Sequence, residues 1–108
     1  MTSKQFTEIT NWQDETFGYA TALSKLAHLK EEIKELVVET IFNRGSKSKA
    51  RDMEYADCFI LLFGAAASDG MSYEDIGRAI VEKMEINRKR KWGKPNADGV
   101  VNHIKDAK

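Results

Sequence analysis

The sequence predicts an all-α protein, a four-helix bundle, on three observations. The chain contains one proline among its 108 residues, and proline is the residue that most strongly interrupts a helix. Apolar residues recur at intervals of three and four through most of the chain, which is the period of an amphipathic helix. The apolar–polar alternation typical of a half-buried strand is rare. Helical segments of this kind bury their apolar faces by packing together as a bundle.

The first two predicted helices are amphipathic. Helix one covers about residues 3–17 and has one apolar side, interrupted by a single polar residue. That side consists of Phe6, Ile9, Gln13 and Phe17. Helix two covers about residues 22–43, and Gly45 just beyond it is the expected helix-ending glycine. Its apolar stripe consists of Leu26, Leu29, Ile33, Leu36, Val37 and Ile41.

The third and fourth predicted helices complete the bundle. Helix three, about residues 50–69, is apolar almost all round after Tyr55, which predicts a place at the centre. Ser72-x-x-Asp75 resembles a capping box and starts helix four, about residues 73–91. The residues of helix four expected to face inward are Ile76, Ile80 and Met84. Residues 93–108 form a turn-rich tail, and the whole chain is expected to be one domain.

Composition excludes several classes of protein. Acidic and basic residues number 17 each, and this balance argues against a nucleic-acid or membrane-surface binder. Cys58 lies in an apolar run, which predicts a reduced, buried thiol. The N-terminus lacks the apolar core of a signal peptide, and the longest uncharged run is too short to span a bilayer. We therefore expect a soluble, cytoplasmic protein without nucleic-acid or membrane partners.

Two acidic pairs carry the strongest functional signal. Glu32 and Glu35, and again Glu54 and Asp57, are three residues apart on predicted helices, so both carboxylates of a pair point to the same side. Their repulsion requires compensation, and a hard cation such as Mg²⁺ takes oxygen ligands. Glu32 borders the apolar stripe of its helix. Asp57 falls in a segment predicted to be buried, where an unpaired carboxylate is costly. The pattern favours a carboxylate cage for divalent cations.

Each acidic pair also has an alternative interpretation without a metal. The carboxylates of helix two then belong to a solvated charged face. Asp57 then forms a salt bridge with Arg51 or Lys49, which lie one to two helical turns away. The presence of a second carboxylate, Glu54, rather than a counter-charge beside Asp57 favours the metal interpretation.

A basic face follows on the fourth helix. Lys83, Asn87 and Arg90 are spaced to share one side, and such side chains donate hydrogen bonds to phosphate and sugar oxygens. The alternative is a cation-rich helix end that complements the helix dipole. Beside four carboxylates, these residues favour a triphosphate site. Trp12 and Trp92 are candidates to stack on a purine base, and the alternative for both is a core or interface position.

The acidic spacing, Glu31-Glu32-x-x-Glu35 followed by Glu54-x-x-Asp57, resembles the signature of the MazG-like all-α nucleoside triphosphate pyrophosphohydrolases. The strings LSKLAHLKEEIKEL and KMEINRKRKWGKPNADGVVNHIK are similar to the phage dATP/dGTP diphosphohydrolase branch, which includes MazZ-like proteins. The resemblance covers about residues 22–105 and implies a MazG-like helical fold that assembles as a homodimer or homotetramer.

The resemblance also implies a reaction, in which a purine dNTP, dGTP or dATP, is cleaved between its α- and β-phosphates to a dNMP and pyrophosphate. It implies that Mg²⁺ or Mn²⁺ is the cofactor and that Glu32 or Glu35 is the general base. The implied metal ligands are Glu32, Glu35, Glu54 and Asp57. The implied substrate-binding residues are Lys83, Asn87 and Arg90. A role in shaping phage nucleotide pools is consistent with this branch.

Two further functions stay open from the sequence. One is a housekeeping hydrolase of aberrant nucleoside triphosphates, and the other is a non-enzymatic helical interaction module. A di-iron carboxylate bundle fits poorly, because neither histidine stands three residues after a glutamate.

Overall fold

The computed structural model describes residues 1–105, and most of that range is helical. The elements are α1 (Ser3–Phe17), α2 (Ala22–Phe42), α3 (Lys49–Ser68) and α4 (Tyr73–Lys89). Within the described residues, the β-structure consists of an isolated bridge between Trp92 and His103. The all-α class is confirmed, and each predicted helix end lies within two residues of the observed one. No helix in the described range combines the length and apolarity that crossing a membrane requires.

Short polar side chains start all four helices. Thr2 and Gln5 form a reciprocal capping box on α1. The hydroxyls of Thr21 and Ser48 accept backbone N–H groups of the first turns of α2 and α3. Before α4, Ser72 Oγ accepts from the N–H of Asp75 at 3.1 Å, and Asp75 Oδ2 accepts from the N–H of Ser72 at 2.9 Å. The predicted capping box with Asp is confirmed, and each cap satisfies donors that the helix leaves unpaired.

The chain divides into two compact units, Met1–Ile76 and Gly77–Lys108, which are described separately. In the first unit, α3 packs against both α2 and α1, which confirms its predicted central place among these helices. The apolar core that these helices enclose contains Phe6, Leu29, Leu61 and Ala65. The rings of Phe6 and Phe63 meet edge to face, with centroids 6.0 Å apart.

A polar side chain occupies the contact between α1 and α3. Gln13 is completely buried, and its Nε2 donates to the carbonyl of Ile60 at 2.8 Å. A Cβ atom on Gly64 would collide with the Gln13 amide, so this close approach requires glycine. The prediction that Gln13 lies on the inward side of α1 is confirmed.

The apolar stripe of α2 is wider than the surface that covers it. Leu29 is buried against α3, whereas Ile33, Val37 and Ile41 are each about half exposed. On a helix of 100° per residue, these three lie roughly 40° to 120° from Leu29, so they form a second apolar strip. The prediction that the whole stripe is buried was wrong for this strip, because one helix covers only part of another's circumference.

The predicted full burial of α3 was also wrong. Phe59 and Leu62 are about half exposed, since α1 and α2 leave one side of α3 uncovered. Cys58 is a free, half-buried thiol rather than a buried one.

Most of α4 belongs to the second unit, and this helix contains no buried residue. Ile80 and Met84, which the sequence placed inward, are exposed. The tail turns back on itself through hydrogen bonds from Gly93 N to Asn102 O at 2.8 Å and from Ile104 N to Lys91 O at 2.7 Å. The predicted turn-rich tail therefore forms a small hairpin over residues 91–104. Residues 106–108 of that predicted tail lie outside the described range.

Candidate metal and phosphate site

Three carboxylates meet where α2 and α3 pack together. Glu32 on α2 and Glu54 and Asp57 on α3 each offer one oxygen, and these oxygens lie within 4.8 Å of one another. The spacing of three residues places Glu54 and Asp57 on the same side of α3. The packing of the two helices then brings Glu32 opposite them. The structure thus brings together three of the four carboxylates that the sequence singled out.

Mutual repulsion and partial burial disturb the titration of this group. Burial is the main cause that raises the pKa of Glu32, followed by the charge of Glu35 and a hydrogen bond to it. Burial also raises the pKa of Glu54, followed by the charges of Glu35 and Asp57. In both cases the ionised form is disfavoured first because the carboxylate is partly removed from water, and then because its neighbours carry the same charge. Within the described part of the chain, no lysine or arginine forms an ion pair with these three carboxylates.

One oxygen in the cluster fits a cation directly. Glu54 Oε2 is buried and has no hydrogen-bond partner among the described residues. A buried carboxylate oxygen without a donor is costly, and a hard divalent cation would satisfy it. The donor set, all carboxylate oxygen, is also the type that Mg²⁺ and Mn²⁺ accept. The residues present therefore fit a divalent metal.

Glu35 takes a different position from the other three. It is exposed and lies outside the close group of three oxygens. Its charge nevertheless raises the pKa of both Glu32 and Glu54, so its carboxylate lies beside the cluster. The Glu35 carboxylate is therefore suited to accept a proton. It lies near the cluster, it is open to water, and it does not supply one of the three closest oxygens.

The predicted burial of Asp57 was wrong. Asp57 is exposed, because the side of α3 on which it lies is only partly covered at this level. The alternative salt bridge to Arg51 does not form. The Arg51 guanidinium donates instead to the carbonyls of Asn43 at 3.1 Å and Ser46 at 2.8 Å, and so closes the loop between α2 and α3. Asp57 thus remains available to a cation from solvent.

His28 contacts the cluster from one side. Its Nε2 lies 3.4 Å from Oε1 of Glu32, one helical turn away on α2. The Phe17 ring meets the imidazole edge to face with centroids 5.9 Å apart, and Trp12 meets Phe17 in the same way at 5.5 Å. Trp12 itself is half exposed and lines a cleft of about 600 Å³ between α1 and Ile60. Its predicted role in base stacking stays a prediction.

The cationic residues of the sequence prediction lie in the second unit. Lys83 is exposed, and Asn87 and Arg90 are half-buried. Trp92 is half exposed, donates from Nε1 to the carbonyl of Asn87 at 3.1 Å, and meets His103 edge to face. These contacts hold Trp92 against the end of α4. Whether it also stacks on a base stays a prediction.

The hairpin and the end of α4 enclose a cleft of about 480 Å³ with a strongly cationic lining. The lining residues are Lys89, Arg90, Lys91, His103, Ile104 and Lys105. The lining residues that the structure describes include four cationic side chains, and such side chains donate hydrogen bonds to phosphate oxygens.

Sequence reasoning missed a buried charge at the other end of the α2–α3 contact. Lys25 is 4% exposed, and its Nζ donates to Ser68 Oγ at 2.7 Å and to the carbonyl of Gly64 at 3.4 Å. It also lies 3.6 Å from Asp14 Oδ1. The sequence did contain a signal for the burial of Lys25, because this residue lies four residues before buried Leu29 and about 40° from it on the helix.

Comparison with known proteins places these observations in context. A family model described as dATP/dGTP pyrophosphohydrolase matches residues 5–108. A protein of Salmonella phage PMBT28 named dATP/dGTP diphosphohydrolase is 34% identical over 98 residues, which are 91% of this chain and 30% of that protein. The Eaa protein of Salmonella phage P22 is 43% identical over 54 residues, 50% of this chain and 17% of that protein. The chain therefore spans less than a third of the curated relatives it matches.

A solved structure resembles nearly the whole chain. It is the cyanophage S-2L MazG-like pyrophosphohydrolase bound to dGDP and three catalytic Mn²⁺ ions per active site. The TM-score is 0.76 at 29% sequence identity, and the match covers 99% of this chain and 97% of the other. The similarity extends across all four helices and the tail.

Proposed function

Because the chain belongs to the dATP/dGTP pyrophosphohydrolase family, we propose that it cleaves a purine dNTP between the α- and β-phosphates. The products are a dNMP and pyrophosphate. The observation that carries the proposal is the meeting of Glu32, Glu54 and Asp57 around a buried, unpartnered oxygen of Glu54. The Mn²⁺ ions and the dGDP of the similar cyanophage enzyme support the same chemistry here.

Each carboxylate has a role in this proposal. Glu32, Glu54 and Asp57 hold divalent cations, Mg²⁺ or Mn²⁺. Such cations, when bound, neutralise charge on phosphate oxygens and lower the pKa of nearby water. Glu35 accepts the proton of the attacking water, because it is exposed and lies beside the cluster without being one of its three closest oxygens.

Residues of the second unit bind the substrate in this proposal. Lys83 and Arg90 donate to phosphate oxygens, and Asn87 orients the sugar or a phosphate. The cationic side chains that line the cleft beside Arg90 support this role. The substrate is a cytoplasmic metabolite, so we place the reaction in the cytoplasm, where it would shape the nucleotide pool of a phage-infected cell.

We also propose that the protein assembles from copies of itself, as a dimer or tetramer. The exposed strip of Ile33, Val37 and Ile41 on α2 supports this, since a chain of this size with few buried apolar side chains gains stability by association. A second copy supplies a matching apolar strip. Sedimentation velocity should show more than one copy per particle. Val37→Glu should dissociate it, whereas Lys34→Glu on the same helix should not.

Product analysis tests the reaction. The protein is incubated with each of the four dNTPs and Mn²⁺, and the products are separated by chromatography. We expect dNMP and pyrophosphate from dGTP or dATP. Asp57→Asn should abolish product formation, and Asp52→Asn, the same change on an exposed aspartate of α3, should preserve it. Release of orthophosphate and a dNDP, or full activity of Asp57→Asn, would contradict the proposal.

A further inference from the structure

The acidic cluster and the buried lysine both lie along the contact between α2 and α3 in the first unit. On α3, Asp57, Leu61 and Gly64 are spaced four and three residues apart and share one side of the helix. Asp57 and Gly64 are seven residues apart, roughly 10 Å along the helix axis. The cluster occupies one end of this line, and Lys25 contacts Gly64 and Ser68 at the other. The separation is on the scale of a nucleoside monophosphate.

A small apolar cavity adjoins this line at Lys25 and Leu61. Its volume is about 190 Å³, and its lining is mostly carbon. The lining residues are Phe17, Ala20, Ser24, Lys25, His28 and Leu61. Two of these carry flat rings, and His28 also touches Glu32 of the acidic cluster. An apolar cavity with aromatic walls beside a metal and phosphate site suits a planar heterocycle.

A polar cleft continues from this cavity. Its volume is about 470 Å³, and it shares Ala20 and Lys25 with the apolar cavity. It adds the side chains of Thr10, Asp14, Thr21 and Ser68. A ring seated in the apolar cavity would therefore direct its outer edge toward these polar groups.

Lys25 fixes the orientation of one of these groups. Its ammonium has three protons and three acceptors within reach, on Ser68, Gly64 and Asp14. Lys25 is thereby occupied within the protein. Asp14 is different, since its side chain remains 41% exposed and lines the polar cleft. The buried lysine thus holds a carboxylate acceptor that faces the cleft.

We propose that Asp14 is a specificity-determining residue that accepts hydrogen bonds from the ring N1–H and the 2-amino group of guanine. This rests on the proposed function and assigns its base-binding end. The guanine ring occupies the apolar cavity that Phe17 and His28 help to line, and Lys25 positions Asp14. A carboxylate has two oxygens that can accept two parallel donors. At the same two positions adenine presents an acceptor nitrogen and a C–H group, and hypoxanthine lacks the 2-amino group.

The test compares dGTP with dITP. For the unsubstituted protein we expect the KM for dITP to exceed that for dGTP by about 10-fold, the effect of one hydrogen bond to a charged group. Asp14→Asn should raise the KM for dGTP about 10- to 100-fold, leave kcat within a few-fold, and bring the dGTP and dITP values together. Glu15→Gln, the neighbouring exposed residue, is the matched control and should retain the preference.

A binding measurement separates this proposal from the proposed function. Calorimetric titration with dGMP and dIMP in EDTA needs neither metal nor hydrolysis, and it applies to the unsubstituted chain if Asp14→Asn fails to fold. Tighter binding of dGMP than of dIMP, lost in folded Asp14→Asn, supports the site even if no dNTP is hydrolysed. Equal affinity for dGMP and dIMP in the unsubstituted protein, or a preference that folded Asp14→Asn keeps, overturns it.

Discussion

The two ends of the α2–α3 contact carry charge in opposite ways. At the Lys25 end, a buried ammonium is matched by a carboxylate, a hydroxyl and a carbonyl. At the Glu32 end, three carboxylates meet, and one buried oxygen of Glu54 has no partner among the described residues. The same pair of helices therefore holds one compensated and one uncompensated group of charges.

The contrast indicates what each end contributes. A buried charge with a complete set of partners fixes the geometry of its surroundings. Like charges held together raise the free energy of the folded chain, and a cation that binds the folded state relieves that cost. The Lys25 end therefore favours a defined structure, whereas the Glu32 end favours ligand binding. Four experiments can break or sharpen this distinction.

The largest effect is expected from Glu54→Gln. The substitution removes the charge but keeps the size of the side chain. We expect activity with Mn²⁺ to fall on the order of 100-fold or more, since even residues that only support a metal ligand cost 10- to 100-fold. In EDTA the variant should be at least as stable as the original, because repulsion is relieved. A urea titration in EDTA measures this stability. A clear loss of stability in Glu54→Gln would contradict the proposed difference between the Lys25 end and the Glu32 end.

Lys25→Met should show the opposite behaviour. Methionine keeps much of the volume but leaves Ser68, Gly64 and Asp14 without their shared donor. We expect a loss of about 2–3 kcal/mol in the free energy of unfolding, the scale for buried polar groups left unpaired. Thermal and urea denaturation measure it. Mn²⁺ binding, followed by electron paramagnetic resonance, should persist in the folded fraction. If Lys25→Met were more stable than the original protein, the contacts at the Lys25 end would not stabilise the fold.

Ser68→Ala should produce a smaller change at the same end. It removes the 2.7 Å hydrogen bond to Lys25 and leaves the other two partners in place. The expected loss is about 1–2 kcal/mol, the net worth of a hydrogen bond to a charged group. Ser46→Ala, in the exposed loop before α3, serves as control for the chemical change. Equal stability of the two variants would show that this contact contributes little.

The smallest effect is a pH dependence at the acidic end. Folding raises the pKa of Glu32 and Glu54, so the folded chain holds these protons more tightly than the unfolded chain. Their contribution to stability is therefore fully present below the ordinary carboxylate pKa and is lost as pH rises through the raised values. In EDTA, the urea midpoint of the original protein, compared with that of Glu32→Gln/Glu54→Gln, should fall as the pH rises above the ordinary carboxylate pKa of 4.5.

Added Mn²⁺ provides the complementary measurement. Because the cation binds the ionised carboxylates of the folded state, it should raise the midpoint most at the higher pH. The urea midpoints of the original protein and of Glu32→Gln/Glu54→Gln are compared in EDTA. If their difference does not change with pH, the carboxylates do not repel one another in the folded chain.

Much of the site could be predicted because helical spacing is a local property. Glu54 and Asp57 share a side of α3 in any helix, and the tight grouping with Glu32 follows once α2 and α3 pack. Exposure could not be predicted in the same way. Asp57 and Phe59 lie in or beside an apolar run, and Ile33 belongs to the apolar stripe of α2. All three are nevertheless exposed, because burial depends on which neighbouring helix covers each side.

The sequence by itself determined the four helices, their caps and the acidic pairs, since these depend on residues no more than a turn or two apart. The tertiary structure decided which charges meet. The match of Lys25 with Asp14, Gly64 and Ser68 joins three separate helices, and the burial of Gln13 against α3 joins two. Such contacts depend on how helices cross, and spacing along one helix does not specify them.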